Sequence, residues 1–398
     1  MNLATVNALP RTGIAALLGQ LDLPGEIQLP NGTIVPVGHD EPIYRVVFNS
    51  DRALRTPMTE LRVGEAYITG EIEVEGDIGV LFGARQKLRK KVPLRQKIRF
   101  LYDYARTATK MNSQAIISHY NRGDDLYHTF IDKQFRFYSH GLFKHADETI
   151  EQASRNKLDT MWDRLGLQPG MRILDIGGGW GGVTQYCGPR GVHVTTLTLA
   201  PDGARYIQRL IEEQNLPGVV YLQDFLAHKP DEPYDHAVSF GVIEHLPEYR
   251  RFARTVYDIL KPGGRIYFDG SAALTKYAVS AFTRRYIWQG THTYMTVQDV
   301  MGELLLHGFE VVEVERETRD YEHTMAEWAR RLDAAKDEVV AEWGEQTYRI
   351  FRLFLWGGAH AFRTNALQAY HVLAERTEEL GPRPGTARRV VQFLGNLR

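Results

Sequence analysis

The stretch Ile173–Val183, ILDIGGGWGGV, sets an apolar strand, an acidic side chain and a glycine-dense turn in direct succession. Such a turn lets a ligand approach the backbone, because glycine has no Cβ to hold it off and the N–H groups can face it together. Gly177, Gly178 and Gly179 stand where the turn is expected. Asp175, at the strand end, can orient the loop by hydrogen bonds or approach the cationic end of a ligand through water. A second unit, VHVTTLTLA, runs through Thr198 into a helical stretch. The pair points to a cofactor built on adenosine. Glycine density alone nearly satisfies the dinucleotide fingerprint, so the pattern does not choose the cofactor. The surroundings do. No carboxylate immediately closes the second strand, although Asp202 is near, and LQDF after the third puts Gln223 and Asp224 where an adenine edge would lie. An acid at that place is a feature of S-adenosylmethionine domains. After the fourth strand, FGVIEHL sets Glu244 and His245 outside the carboxyl end of the sheet, where ligands bind in such folds.

The elements that must hold these residues alternate. MRILDI, VHVTTL, VVYLQ, HAVSFG, GRIYFDG and FEVVEVE are strand candidates with helical stretches between them, the order of a doubly wound α/β sheet. LKPGG reads as the turn before the fifth of these strands. DETIEQASRNKLDTMWDRLGL predicts a helix ending at Gly166, just before the first. Upstream, GEIQLPNGTIVPVG reads as a hairpin around Asn-Gly. AYITGEIEVEGDIGVLFGA alternates apolar and polar residues. From Tyr321 to about Glu375 the chain is aromatic and reads as largely helical.

The 398 residues suffice for two or three domains. A formal charge of -1 gives no general pull toward polyanions, and no nucleic-acid partner is expected. From Arg85 to Arg99, however, the chain carries eight basic residues and no acidic one. That stretch is either a solvated face or a contact for anionic headgroups. Cys187 is the single cysteine, so neither an intrachain disulfide nor a cysteine-rich metal site can form. His119, His140 and His145 lack ligand spacing, and no metal is expected. Trp180, Trp288, Trp328 and Trp356 suit an acyl channel or ordinary packing equally well. No apolar run approaches 20 residues, which leaves a cytoplasmic protein with peripheral membrane contact as the expectation.

Taken together, ISHYNRGDDLYHTF, FRFYSHGLF, EQASRNKLD, RILDIGGGWGG, VTTLTLAPDGARY, LQDF, FGVIEHL, LKPGG, YIWQG, RDYEHTMAEWARR and GAHAFRTNALQAYHVL, in this order across residues 115–375, resemble the cyclopropane fatty acid synthase family. That family includes the mycolic acid cyclopropane synthases and related fatty acyl methyltransferases. The resemblance implies a small N-terminal lipid-engaging α+β domain at 1–105 and a helical active-site cover at 106–165. It also implies an S-adenosylmethionine-dependent methyltransferase domain with helical acyl-site additions at 166–385, and a tail at 386–398. The implied donor is S-adenosylmethionine, and the acceptor is the cis double bond of an unsaturated phospholipid acyl chain. His119, Tyr120, Gly123 and Tyr127 match the segment that closes over cofactor and active site. Asp175 and Gly177 match the cofactor loop, with Gly179 and Thr198 beside them, and Gln223 and Asp224 match the adenine-side pair. Glu244 and Tyr321 match the carboxylate and tyrosine of an active site that holds bicarbonate. A membrane substrate also gives Lys87, Lys90, Lys91 and Arg95 a task, attraction to anionic headgroups.

Two positions leave the family pattern. His140 stands where the family commonly has Cys, and Asp269 stands where it has His. A bicarbonate between Glu244 and an ionised Asp269 would meet like-charge repulsion, unless a protonated His140 offset it. Otherwise Glu244 or Asp269 can do the anion's work directly. The base position matters because the cation left by methyl transfer has three fates: ring closure, hydride shift to a methylene branch, or direct proton loss to a methylated alkene. A displacement of about 1 Å can change rates roughly 100-fold. The altered pair favours a methyl- or methylene-branched chain, with the cyclopropane ring as alternative. The partners this reading admits are the lipid, a second copy of the chain and, for a methylene product, a reductase. A non-catalytic lipid-binding protein, an acyl-carrier or small-molecule methyltransferase, and a dehydrogenase are the competing classes.

Overall fold

The computed structural model describes residues 15, 18–19, 23–57, 59–83, 124–288 and 292–378. His119, Tyr120, Gly123, Lys87, Lys90, Lys91 and Arg95 lie outside the described residues. The chain forms two compact units. Of the described residues, one unit takes those up to 83, 279–288 and 322–364. The other takes 124–278, 292–321 and 365–378.

The first unit holds a four-stranded sheet of β1 (Gly25–Gln28), β2 (Ile34–Val37), β3 (Tyr44–Phe48) and β4 (Ile72–Gly76), in the order β2-β1-β3-β4. β1 and β2 are the expected hairpin, turning at Asn31-Gly32, where Gly32 has φ +84°. The alternation expected from Ala66 onward does not hold throughout. Ala66, Tyr67 and Ile68 close the helix Glu60–Ile68, and β4 follows it. Thr59 starts that helix by accepting from the Arg62 N–H, and a capped helix overrides a short alternating pattern. Arg349, on the helix Glu345–Arg363, donates to the Tyr67 carbonyl and to Glu73.

The second unit is built on β5 (Arg172–Ile176), β6 (His193–Thr198), β7 (Gly218–Leu222), β8 (Tyr234–Phe240), β9 (Leu260–Ala272), β10 (Phe309–Arg316) and β11 (Gln368–Arg376). Their order is β10-β11-β9-β8-β5-β6-β7. The five strands β5 to β9 run parallel. Strand order reverses at β5, which has β6 on one side and β8 on the other. The crevice at such a switch point is where this architecture binds ligands. All six strand candidates are present. β11 is the departure, because the segment from 368, read as part of a largely helical stretch, pairs antiparallel between β9 and β10. The preceding helix ends at Arg363, Asn365 turns the chain at φ +54°, and long-range pairing then outweighs local propensity. The LKPGG turn survives as a bulge within β9. The register jumps from Tyr234↔Leu260 to His236↔Arg265.

The central strands β5, β6, β8 and β9 are largely buried on both faces. Ile266 and Phe268 pack against Phe252, Val256 and Leu304. Tyr267 and Leu373 face Leu158, Met161 and Leu165 from the helix Ile150–Leu165. That helix starts with a reciprocal Thr149–Gln152 capping box and stops at Gly166 in the left-handed conformation, as its sequence predicts.

Candidate functional site

The glycine turn after β5 packs tightly against its neighbours. A Cβ on Gly178 would lie 2.1 Å from Thr196 Cγ2 and 2.5 Å from Asp175 Oδ2. Gly177, at φ +75°, comes so close to the loop after β8 that a Cβ would meet Val242 Cγ2 at 2.5 Å. The Gly177 and Gly178 N–H groups do not face a ligand as expected. Both donate to the Leu197 carbonyl, at 2.8 and 3.1 Å, tying the turn to β6. Asp175 is 2% exposed, and its Oδ2 has no hydrogen-bond partner among the described residues. Burial pushes its carboxyl up to about 7, against a smaller opposing effect of the Thr196 hydroxyl. An acid in that state is poised to ionise when a cation arrives.

The remaining cofactor candidates sit at the same strand ends. Thr198 Oγ1 accepts from the Ala200 N–H, and its carbonyl accepts from the Gln223 N–H. Gln223 Oε1 lies 3.2 Å from His228 Nδ1. Asp224 is exposed, and its Oδ1 accepts from the Leu226 N–H as the cap of a short turn, which leaves its other oxygen for a ligand. Tyr127 is 1% exposed and meets Tyr138 edge-on, with ring centroids 4.8 Å apart. A Gly178→Ala variant should push on Thr196 and Asp175 at a cost of about 1–3 kcal/mol. S-adenosylhomocysteine affinity, measured by calorimetric titration, should fall roughly 10- to 100-fold.

The second half of the site gathers on β9 and the loop after β8. Glu244 is 3% exposed. Its Oε1 accepts from the Ser271 N–H at 2.7 Å and the Ser271 hydroxyl at 2.8 Å, while Oε2 has no partner among the described residues. Gly270 makes room for it, since a Cβ there would meet Oε2 at 3.1 Å. Burial, reinforced by Asp269 and opposed by the Ser271 donors, lifts the Glu244 carboxyl to about 7. Next to it, burial takes His245 down to about 4, which keeps it neutral. Tyr321 stacks on His140 with ring centroids 4.6 Å apart. Burial, then Glu244 and Asp269, holds its phenol well above the ordinary range.

The sequence reading missed the cation at the centre of this group. Lys157 is 1% exposed and ion-paired to Asp269 Oδ2 at 2.6 Å. It donates to Ser139 Oγ at 2.9 Å and to the His140 carbonyl at 2.7 Å. The signal was present, because Lys157 occupies the buried stripe Ile150, Ala153, Ser154, Lys157, Leu158, Met161 of its helix. A lysine on an apolar stripe must have a partner. Glu317 and His371 were missed too. His140 Nε2 lies 2.7 Å from Glu317, and Glu317 lies 2.6 Å from His371. Donor atoms of His140, Asp269 and Glu317 come within 4.8 Å of one another, but a metal ion there would meet the Lys157 ammonium.

A family model described as mycolic acid cyclopropane synthetase matches residues 107–372. The chain belongs to this family. A probable fatty acid methyltransferase of Mycobacterium tuberculosis is 28% identical over 282 residues, 68% of this chain and 64% of that protein, so the chain spans just under two thirds of that relative. The cyclopropane-fatty-acyl-phospholipid synthase of Escherichia coli is 31% identical over 270 residues, 67% of this chain and 68% of its own. The solved structure of mycolic acid cyclopropane synthase CmaA1 with SAH and CTAB superposes with a TM-score of 0.62 at 25% identity, covering 66% of this chain and 98% of that one. The second unit therefore has the S-adenosylmethionine-dependent methyltransferase fold. The residues fit S-adenosylmethionine: Asp175 is a buried acid with one oxygen unpartnered among the described residues, at a turn that admits no side chain at Gly178. They fit bicarbonate poorly. Two carboxylates converge there, and Asp269 is already committed to Lys157 and the Gly241 N–H, so neither carboxylate offers an anion a donor.

Proposed function

We propose that this chain methylates the cis double bond of an unsaturated phospholipid acyl chain and releases a methyl- or methylene-branched product, with Glu244 as the base. The observation that carries this reading is Glu244 Oε2, buried, without a hydrogen-bond partner among the described residues and attached to a carboxyl lifted to about 7. S-Adenosylmethionine supplies an electrophilic methyl at the crevice. Asp175, Thr198, Gln223 and Asp224 would hold it, with Gly177 and Gly179 shaping the turn and Tyr120 covering it. Transfer of that methyl to the alkene would leave positive charge on the acyl chain. Glu244 and Tyr321 stabilise that charge, and their fixed positions mean little reorganisation accompanies its formation. Glu244 then takes the proton whose loss defines the product. His140 and Asp269 set the field around this base, and Lys157 cancels much of the Asp269 charge.

The lipid remains at its membrane. No helix among the described residues is long and apolar enough to cross one. Lys87, Lys90, Lys91 and Arg95 would draw the chain to an anionic surface from the cytoplasmic side. The ring product is the second reading, favoured by family membership. Mass spectrometry and NMR of the product from vesicles of a defined unsaturated phospholipid, with and without bicarbonate, decide between them. A branched product formed at equal rate in both conditions is expected. A dominant cyclopropane methylene signal, or a strict bicarbonate requirement, overturns the reading.

A further inference from the structure

A proton taken by Glu244 starts from a side chain that is almost wholly enclosed, in a crevice that lipid and cofactor would fill. A continuous line of side chains leads away from this region. Its inner end is the buried His140, whose Nδ1 has no hydrogen-bond partner among the described residues and lies 4.0 Å from Asp269 Oδ2. His140 Nε2 is 2.7 Å from Glu317 Oε2. Glu317 Oε1 is 2.6 Å from His371 Nδ1, and His371 Nε2 is 2.7 Å from Glu313 Oε1. The Glu313 side chain is 27% exposed and meets the surface residue Arg164 at 2.8 Å.

Sheet register builds this line. His371 on β11 pairs directly with Asp269 on β9 and with Glu315 on β10, and Glu317 directly follows β10. Imidazole and carboxylate alternate, and His371 uses both ring nitrogens. Neutralising a buried Glu317 would need one histidine, not an unbroken string that ends at solvent. The groups around the line hold its charges in place. Burial would raise Glu317, but His140 and His371 outweigh it and hold the carboxyl well below the usual range. Burial would lower His371, but Glu317 and Glu313 outweigh it and hold it above its ordinary value. Tyr267 stacks on His371 at 4.8 Å, Asp320 and Tyr321 lie toward His140, and Lys157 faces Asp269.

We propose that His140, Glu317, His371 and Glu313 form a proton exit from the active site to solvent. The proposal rests on the reading of the site as a methyltransferase that ends in proton loss. The proton on Glu244 reaches His140 Nδ1 through water in the site beside Asp269, whose Oδ2 lies 4.0 Å from that nitrogen. His371, which donates from both nitrogens, gives its Nε2 proton to Glu313, which delivers it to water; Glu317 takes the Nε2 proton of His140, and His371 takes that proton from Glu317 at its vacated nitrogen once its ring turns. Each transfer breaks one N–H or O–H bond and forms another, so one proton leaves and no electrons move. Rotation of the imidazoles restores the starting tautomers.

The test uses Glu317→Gln and Glu313→Gln, which keep shape while interrupting transfer. Glu313 lies at the surface and is the variant to rely on if Glu317→Gln does not fold. S-Adenosylhomocysteine formation is followed in a single rapid-quench turnover and at steady state on vesicles of one unsaturated phospholipid. Steady-state turnover should fall roughly tenfold or more, with the first turnover within about twofold of wild type and partial rescue by imidazole. Unchanged steady-state turnover in the folded variants overturns the proposal, as does an equal loss in the first turnover, which a merely structural role would give. A wild type that forms no methylated lipid overturns the functional reading itself, and is recognised in that arm alone.

Discussion

Glu244→Gln should lower turnover by roughly 10²- to 10⁴-fold, the range lost with a positioned acid–base group, while S-adenosylhomocysteine affinity stays within about threefold of wild type. The amide keeps an oxygen for the Ser271 N–H and hydroxyl, so the loop should stay in place. What it loses is the basic oxygen. Wild-type turnover should therefore rise with pH through about 7 and level off above it, as the carboxyl ionises. The acid at Asp175 is also lifted to about 7, but its ionisation governs cofactor affinity. Measuring turnover at saturating S-adenosylmethionine separates the two. Stability should move the opposite way. A carboxyl raised from 4.5 to about 7 in the fold favours its neutral form, so its contribution declines as pH rises between those values. Above pH 7 the Gln variant escapes a penalty of up to roughly 3 kcal/mol, less what its unpartnered amide N–H groups cost. A denaturation midpoint at pH 8 that is no lower than wild type, in an inactive protein, would mark Glu244 as held for chemistry. Equal loss of cofactor affinity and turnover would remove it from the base role.

The sequence shows most of the sheet because buried parallel strands and glycine turns leave local marks. MRILDI and VHVTTL need no tertiary information to be recognised as strands. The segment at 368–376 does, because its strand identity comes from partners about 60 and 100 residues away in β10 and β9. The same limit governs the site. Glu244, Tyr321, His140 and Asp269 are legible from motif positions, and the structure brings them together. Lys157, Glu317 and His371 belong to no motif and become partners only through register and the helix that covers the sheet. The repulsion expected from Asp269 was therefore half of an account that Lys157 completes.

That pair predicts the second large effect. Lys157→Met should cost about 3–5 kcal/mol, because it leaves the Asp269 carboxylate in a site 1% exposed with its compensating charge removed. The lost bonds to Ser139 and the His140 carbonyl, and the contact of the ammonium with the Phe240 ring at 4.4 Å, act in the same direction. Adding Asp269→Asn should restore most of the stability, since the unpaired charge rather than the missing bridge dominates the loss. Thermal or urea unfolding of the two single variants and the double variant measures this directly. The pH dependence of turnover then asks whether the pair also tunes the base. An uncompensated Asp269 raises Glu244, so the rising limb in Lys157→Met should move to higher pH. Asp269→Asn alone should move it lower, and the double variant, which removes both charges, should fall between the two single variants. Stability rescue without any movement of the limb would make Lys157 and Asp269 a packing device. Movement of the limb in the two opposite directions would mean that a buried lysine, on a helix with no part in the cofactor loop, sets the proton affinity of the group that decides the product.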